Sequence, residues 1–292
     1  MKKALNIIVK AAPFVALAVL AIYLTVHFIG LFDKTALVAV TRETLAETID
    51  LDGFIFRDET VLTAGEIKEI YYSDGEKIHA GAIVANDGED VISECSGYFY
   101  TQVDGYETLF TSSAALALTV ENYEKVTTAN PFDDSKNAKP QAPGAFGKVA
   151  TDFVWYFAAK TADAEKFEAG KQYDATIGGA GVTLTLVKTS ADGKSAVLIF
   201  ECDEVPRGKF FKRATAATVT VAYHSGTAVP SEAIHDINKL KYIYIFDDGY
   251  ARRRAVDLVF EKNGAAIIRR NDLGEGDLVI VGKGQYDGKV MH

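Results

Sequence analysis

Polar and apolar residues alternate along most of the chain after residue 33. Residues 48–57 give the clearest example, and residues 66–72 repeat the pattern. Alternation with a period of two is typical of β-strands that bury one face. Further strand-like stretches lie at 35–40, 91–102, 149–158, 172–177, 182–189, 196–202, 215–223, 242–246, 251–260, 266–270 and 278–281. Several Asp-Gly and glycine-rich turns separate them, so the pattern predicts a mainly β protein made of small barrels or sandwiches.

The N-terminal segment breaks this pattern. Residues 11–32 carry no formal charge, Lys2, Lys3 and Lys10 precede them, and Asp33 follows. About 20 apolar residues suffice for a helix to cross a hydrocarbon layer of roughly 30 Å. The positive-inside rule then places a tail of residues 1–10 in the cytoplasm and the bulk of the chain outside it. A cleaved signal peptide is the alternative, although its apolar core usually has only about 7–15 residues.

One stretch of the remaining chain favours a helix. Residues 112–125 have a loose apolar face that includes Leu116, Leu118 and Tyr123. The following residues, 127–147, contain three prolines among Asp, Asn and Lys, which is typical of a loop or a domain boundary.

Charge argues against one class of partner. The chain has a formal net charge of −9, and its first 32 residues hold three lysines and no acid, so the remainder carries −12. Nucleic-acid binding needs a basic face. We therefore predict no nucleic-acid partner and no broad electrostatic adhesion to anionic lipid.

The sequence nominates no catalytic, cofactor-binding or metal-ligating residue. Motifs such as HExxH, CxxC, G-x-S-x-G and the Walker loop do not occur. The two cysteines, Cys95 and Cys202, are expected to be buried free thiols, with a single disulfide as the alternative. The glycine-rich residues 177–181 are interpreted as a turn between strands, since no helix follows to present its N-terminus to a phosphate.

The histidines outside the apolar segment show no short metal-ligand spacing. They are His79, His224, His235 and His292. Two of them, His79 and His235, are expected at exposed turn or helix positions. A metal site is therefore not predicted from them.

The run Arg252-Arg253-Arg254 is the one basic cluster of the outer chain. Its simplest interpretation is a solvated strand edge, which also discourages edge-to-edge pairing. A contact with lipid headgroups or with an acidic partner is the alternative.

Residues 65–85 and 95–110 form a weak internal repeat. Each half has a glycine, a short strand, an Asp-Gly turn (Asp74-Gly75 and Asp104-Gly105) and an acidic residue. Each half predicts a curled hairpin that cannot bury its apolar face alone. Two such hairpins packed together would close a small β-sandwich.

At these residues the sequence resembles the biotinyl-lipoyl-like domain of HlyD-type membrane fusion proteins, the periplasmic adaptor subunits of efflux transporters. Residues 229–234 resemble the entry into the family's membrane-proximal domain. Residues 273–281, followed by 287–290, resemble its closing segment. The segments 96–99 and 103–107 resemble segments of adaptor-like proteins of Gram-positive bacteria.

Two departures from the family pattern lie at the connection between the halves, residues 86–92. This connection has no lysine, so no covalently attached lipoyl or biotinyl cofactor is expected. It is also too short for the α-helical hairpin that most adaptors insert there and that would dock an outer-membrane channel.

The resemblance implies a fold class and an order of domains. The fold class is mainly β, with one N-terminal transmembrane helix, a lipoyl-like barrel-sandwich hybrid, a β-barrel and a membrane-proximal β domain. The implied segments are a cytoplasmic tail (1–10), a transmembrane anchor (11–32), a membrane-proximal β domain (33–62 with 228–292), the lipoyl-like hybrid (63–110), a short helix with a proline-containing linker (111–145) and a β-barrel (146–227). The chain would run outward and return, so both ends of its outer part should be close together.

The function implied by the resemblance is that of a non-catalytic, membrane-anchored adaptor outside the cytoplasm that assists an efflux transporter. Its implied partners are a transporter subunit of the inner or cytoplasmic membrane, further copies in a ring, and membrane lipid through the anchor. The alternative is a structural or scaffold protein of the cell envelope, linked to division or wall assembly. An anchored enzyme is a third class, which no catalytic motif supports.

Overall fold

The computed structural model describes residues 35–128, 142–151, 153–205, 212–269, 273–282 and 284–290. The predicted anchor, 11–32, and residues 129–141 of the predicted linker lie outside these ranges. Among the described residues, no helix combines the length and apolarity needed to cross a membrane. The chain is mainly β and divides into two compact units, one of residues 47–222 and one of the residues on either side of it.

A closed six-stranded barrel forms one part of the 47–222 unit. Its strands follow one another in the order β11-β12-β13-β10-β2-β14, and pairing between β11 and β14 closes the ring. These strands are β2 (Thr41–Phe56), β10 (Trp155–Thr161), β11 (Gln172–Ile177), β12 (Ala180–Ala191), β13 (Ala196–Cys202) and β14 (Ala214–Pro230). The strict alternation of β11 fills the barrel with Tyr173, Ala175 and Ile177. Phe157 and Phe200 stack beside them.

The turns predicted around this barrel are confirmed. Gly178 and Gly179 have φ angles of 56° and 78° and connect β11 to β12. Asp192 and Gly193 lie between the paired strands β12 and β13, and Gly193 has a φ of 88°. Glycine adopts such left-handed angles without the steric penalty of a side chain.

Two short helices cover the outside of the barrel where one longer helix was predicted. They are α1 (Ser112–Ala117) and α2 (Val120–Thr128), and Leu118 between them is extended. The side chain of Thr119 accepts a hydrogen bond from Asn122 N, as an N-cap does. Leu118 and Tyr123 are buried as expected, but Leu116 is exposed, so the predicted apolar face is wrong at that position.

A small sandwich of two sheets completes the 47–222 unit. Its core includes Leu62, Val84, Phe99 and Val149. One sheet has the order β3-β9-β8-β5 and the other β4-β6-β7. The strands are β3 (Glu59–Thr63), β4 (Glu69–Ile70), β5 (Lys77–Ile78), β6 (Ile83–Asn86), β7 (Asp90–Ile92), β8 (Gly97–Tyr100) and β9 (Ala145–Ala150).

The predicted hairpins of the repeat are wrong, because β4 and β5 join different sheets and, within the described residues 101–111, no strand follows Asp104-Gly105. The turn at Asp74-Gly75 exists, with a φ of 82° at Gly75, but β4 before it pairs with β6 and β5 after it pairs with β8. The single strand predicted at 149–158 is two strands, since β9 joins the sandwich and β10 the barrel. The exact division into domains stays a prediction.

The other unit contains a five-stranded sheet and the pair β18–β19, which continues from β14. Its strands are β1 (Ala36–Ala39), β15 (His235–Ile237), β16 (Leu240–Asp247), β17 (Tyr250–Ala255), β18 (Asp257–Lys262), β19 (Ala265–Arg269) and β20 (Leu278–Val281). Ala36 lies opposite Val281, which confirms the expectation that the two ends of the chain after residue 33 lie close together. The turn Asp248-Gly249 joins β16 to β17 as predicted.

Candidate functional site: a buried cluster of charges

A cluster of charged side chains lies where the sandwich meets the barrel, within one unit. The members come from five parts of that unit: the residue after β2, β3, the segment between β8 and α1, which supplies two of them, β9, and the residue before β14. The members are Arg57, Glu59, Asp104, Glu107, Lys148 and Arg213. We call this set the charged joint.

Glu59 lies at the centre of the charged joint and contacts all three cations. Its Oε1 accepts from Arg57 Nε at 2.5 Å, and its Oε2 accepts from Lys148 Nζ at 3.1 Å and from Arg213 Nη2 at 2.8 Å. The Glu59 side chain has no exposed surface. A carboxylate buried this deeply is tolerated only when several donors compensate its lost hydration.

The other two carboxylates complete the charge balance. Asp104 binds Arg213 through two parallel hydrogen bonds, of 2.7 Å to Nε and 2.9 Å to Nη2. Glu107 accepts from Lys148 Nζ at 3.2 Å. Three acids therefore face three bases, and the paired geometry on Arg213 is the strong, oriented form of this contact.

The protonation of the charged joint is fixed by its own members. Burial raises the pKa of Glu59, but Arg57, Arg213 and Lys148 outweigh it and hold that pKa below its usual value. Burial likewise opposes the ionisation of Asp104, yet its hydrogen bonds and charge contact with Arg213 hold the pKa well below the usual range. Hydrogen bonds and charge contacts with Asp104 and Glu59 raise the pKa of Arg213, although burial alone would lower it.

Backbone bonds and aromatic rings hold the charged joint in place. Arg57 N donates to Phe110 O at 2.9 Å, and Ile55 N donates to Arg213 O at 2.7 Å. The guanidinium of Arg57 lies 4.5 Å from the centre of the Tyr100 ring, and that of Arg213 lies 5.1 Å from Phe110. Such an arrangement suits a mechanical connection between two β layers, since Glu59 and Asp104 are held ionised rather than poised to exchange protons.

The connection between the two halves of the repeat is a tight turn at one end of the sandwich. Only 87–89 separate β6 from β7, and Gly88 has a φ of 122°. Asp87 accepts from Gly65 N at 2.9 Å and from Glu89 N at 3.3 Å. These hydrogen bonds lower the pKa of Asp87, the one from Gly65 most of all.

A groove of about 450 Å³ runs over the outer wall of the barrel. Threonines dominate its lining, with Asp174 and Glu204 as its two carboxylates. Thr183 N donates to Glu204 Oε1 at 3.2 Å. Neither a nucleophilic cysteine nor a histidine lines it, so the groove offers hydrogen-bonding groups rather than a nucleophile with a base.

The structure places both cysteines as free thiols. Cys202 is buried, which raises the pKa of its thiol to about 12. Cys95 is only half-buried and lies 3.9 Å from Ser93 Oγ. The sequence-based prediction of a buried free thiol is therefore confirmed for Cys202 and only partly confirmed for Cys95.

The described histidines occupy different elements of the fold. His79 is exposed, as expected, and His224 stacks on Phe260 with ring centres 4.4 Å apart. The expected exposure of His235 is wrong, because it is half-buried in β15 and packs edge-on against Tyr244 at 4.9 Å. His292 lies outside the described residues. Within those residues, no three His, Cys, Asp or Glu side chains come together as metal ligands would.

The arginine run lies on β17, a strand that pairs with β16. Arg252 forms an ion pair with Asp247 at 3.0 Å, and Arg253 approaches Asp287 at 3.8 Å. These exposed contacts agree with a solvated strand edge, while the alternative of a lipid or acidic partner stays a hypothesis.

Sequence reasoning missed the charged joint. Two local signals existed: Lys148 interrupts an apolar stretch, and Arg57 and Glu59 lie where β2 ends and β3 begins. The sequence could not show which charges pair, because Glu59 and Arg213 are 154 positions apart.

Comparison with known proteins gives structural matches only. No family model and no curated protein sequence matches the chain. Among solved structures, MacA from Actinobacillus actinomycetemcomitans is 12% identical, with a TM-score of 0.41, 84% of this chain covered and 99% of that one. ZneB from Cupriavidus metallidurans is 14% identical, with a TM-score of 0.28 and coverage of 86% and 93%. The membrane fusion protein Spr0693 from Streptococcus pneumoniae R6 is 11% identical, with a TM-score of 0.25 and coverage of 59% and 98%. The last of these structures is described as a membrane fusion protein, the class that the sequence of this chain resembles.

Proposed function

We propose that this chain is a non-catalytic adaptor, held in a membrane by residues 11–32, whose β domains lie outside the cytoplasm and assist an efflux transporter. The observation that carries the proposal is the path of the chain. It enters through β1, builds a barrel and a sandwich, and returns to pair β20 with β1. This path agrees with the out-and-back order that the sequence resemblance implies.

The charged joint supports a mechanical role. It ties β3 and β9 of the sandwich to the end of β2 and the start of β14 through buried, oriented ion pairs. A protein that acts by shape needs its layers held in a fixed arrangement, whereas one that acts by proton transfer needs groups with pKa values near the working pH.

Capture of the partner tests the proposal. The full chain is crosslinked in its native membranes, solubilised and recovered, and the associated proteins are identified. We expect a membrane transporter subunit, and also adjacent copies of the chain if it forms a ring. Recovery of division or wall-assembly proteins without any transporter subunit would contradict the adaptor role.

The second candidate is a scaffold protein of the cell envelope. It is favoured by the tight turn at 87–89, since the sandwich ends there without the helical extension that would dock a channel. The same crosslinking experiment separates the two candidates.

A further inference from the structure

The hairpin of β15 and β16 carries an exposed leucine between two lysines. Its turn consists of Asn238 and Lys239, whose φ angles of 55° and 65° are those of a type I′ turn. Leu240 follows directly and is 58% exposed, and Lys241 comes next. We call residues 238–241 the hairpin tip.

Strand register fixes which end of the sheet the hairpin tip occupies. Ala36 lies opposite Val281, and Val279 lies opposite Ile245, so the level of Ala36 corresponds to Ile243 on β16. β16 begins at Leu240, three residues before Ile243. It therefore extends past the level of Ala36 on the side away from the rest of β1. At about 3.4 Å per residue, Leu240 lies roughly 10 Å beyond the start of β1, on the side from which the chain enters the sheet.

The length of the chain brings this end close to the predicted anchor. Four residue steps separate residue 32 from Ala36 at the start of β1, and four extended residues reach at most about 14 Å. The start of β1 therefore lies within about 14 Å of the end of the anchor, whatever path the connecting residues take. This step rests on the anchor of the proposed function.

The chemistry of this end fits a lipid surface. Lys239 is exposed, and Arg254 lies opposite Ile243 on β17. Lys241 shares its charge with Asp236 at 2.9 Å. Leu37, the second residue of β1, is also exposed, to 45%. Cations bind lipid phosphates, and exposed apolar side chains partition below them. Because the outer chain is acidic as a whole, the contact must be local.

We propose that the hairpin tip rests in the headgroup layer of an anionic membrane surface. Leu240 enters the boundary of the acyl chains, and Lys239 and Arg254 bind lipid phosphates. The alternative, a protein partner that covers the same tip, is an outcome of the test.

The test places a fluorescent reporter at the hairpin tip. The full chain with Leu240→Trp is reconstituted into phosphatidylcholine vesicles, with and without phosphatidylglycerol, that carry brominated acyl chains as quenchers. The native Trp155 is buried in the barrel and gives a constant background. The matched control is Tyr250→Trp, since Tyr250 is 49% exposed at the opposite end of the same sheet.

We expect blue-shifted, quenched emission for Leu240→Trp, a stronger effect with phosphatidylglycerol, and no quenching for Tyr250→Trp. Adding Lys239→Glu should weaken the quenching in anionic vesicles. If the chain floats with the vesicles but both reporters behave alike, the lipid contact is overturned and the anchor stands. If the chain does not float with them, the anchor and the lipid contact both fall. Crosslinking from position 240 to a protein in native membranes, without quenching, would assign the tip to a protein partner instead.

Discussion

The ammonium of Lys148 lies 3.1 Å from the carboxylate of Glu59, and both side chains are almost completely buried. Burying two charges costs more hydration energy than their attraction alone returns, unless further donors and acceptors complete the site. Here Arg57 and Arg213 bind the same carboxylate, and Glu107 binds the same ammonium. The charged joint therefore depends on all its members being present together.

Lys148→Met should destabilise the protein by about 3–5 kcal/mol, because it leaves buried carboxylates without a partner. Lys125→Met is the matched control, since Lys125 pairs with Glu121 on the exposed face of α2. An exposed pair of this kind contributes at most about 0.5 kcal/mol. Urea unfolding of both variants measures the difference, and equal unfolding midpoints would show that the joint adds nothing to stability.

The stability of the 47–222 unit should fall in acid because of Glu59 and Asp104. Both have folded-state pKa values below their unfolded values, so the stability they contribute is complete above about pH 5 and is lost as the pH falls below about 4. Glu59→Gln should lower stability at pH 7 and flatten this acid dependence. Unfolding midpoints between pH 3 and pH 7 measure it, with the exposed Glu66→Gln as control. An unchanged slope in Glu59→Gln would contradict the assignment.

Gly97→Ala should destabilise the sandwich by about 3 kcal/mol, because a Cβ at that position would lie 2.0 Å from the carbonyl oxygen of Ala150 on β9. Gly181→Ala is the control, since nothing lies within 4 Å of a Cβ built there. Thermal unfolding compares the two. A Gly97→Ala protein as stable as the control would mean that β8 and β9 separate without cost.

The two cysteines should differ in reactivity. The thiolate is the reactive species, and burial raises the pKa of Cys202 to about 12, so this thiol stays protonated and shielded near neutral pH. Iodoacetamide should modify the native chain at Cys95 first and reach Cys202 only after unfolding. Mass spectrometry locates the adduct. Early labelling of Cys202 would contradict its burial, and labelling of neither cysteine after unfolding without reductant would indicate a disulfide.

His235 should make the other unit sensitive to mild acid. Burial lowers its pKa, so the neutral ring is favoured in the folded state and stability declines as the pH falls below about 6.5, the unfolded value. Its Nε2 is buried without a hydrogen-bond partner among the described residues. His235→Gln should remove this decline. The control His79→Gln, at an exposed position, should retain the decline in stability at low pH. Amide hydrogen exchange of β15 and β16 at pH 5 and pH 7 measures this decline in both variants.

The strands of the barrel were predictable because their signals are local. Residues 172–177 and 196–202 were predicted as strands and correspond to β11 and β13 of the barrel, and residues 278–281 likewise correspond to β20 of the other unit. Each combines strand-like residues with a turn or glycine nearby, so neighbouring residues alone define it.

The missed features depend on contacts between distant parts of the chain. The predicted helix at 112–125 breaks at Leu118, where Lys188 Nζ donates to the carbonyl oxygens of Leu116 and Leu118. The repeat was recognised, but its hairpins were wrong because β4 and β5 join different sheets and β8 pairs with β9 from far along the chain. Pairing partners of this kind carry no local signal, and the charged joint is hidden for the same reason.

Closure of the barrel by β11 and β14 restricts how copies of this chain can associate. A closed ring of strands has no unpaired backbone edge, so a neighbouring molecule cannot extend it by adding a strand. Association through backbone hydrogen bonds is left to strands at sheet margins, such as β7 and β18. If copies form a ring, contacts between barrels must instead be made by side chains. Single substitutions can alter such contacts without unfolding the barrel.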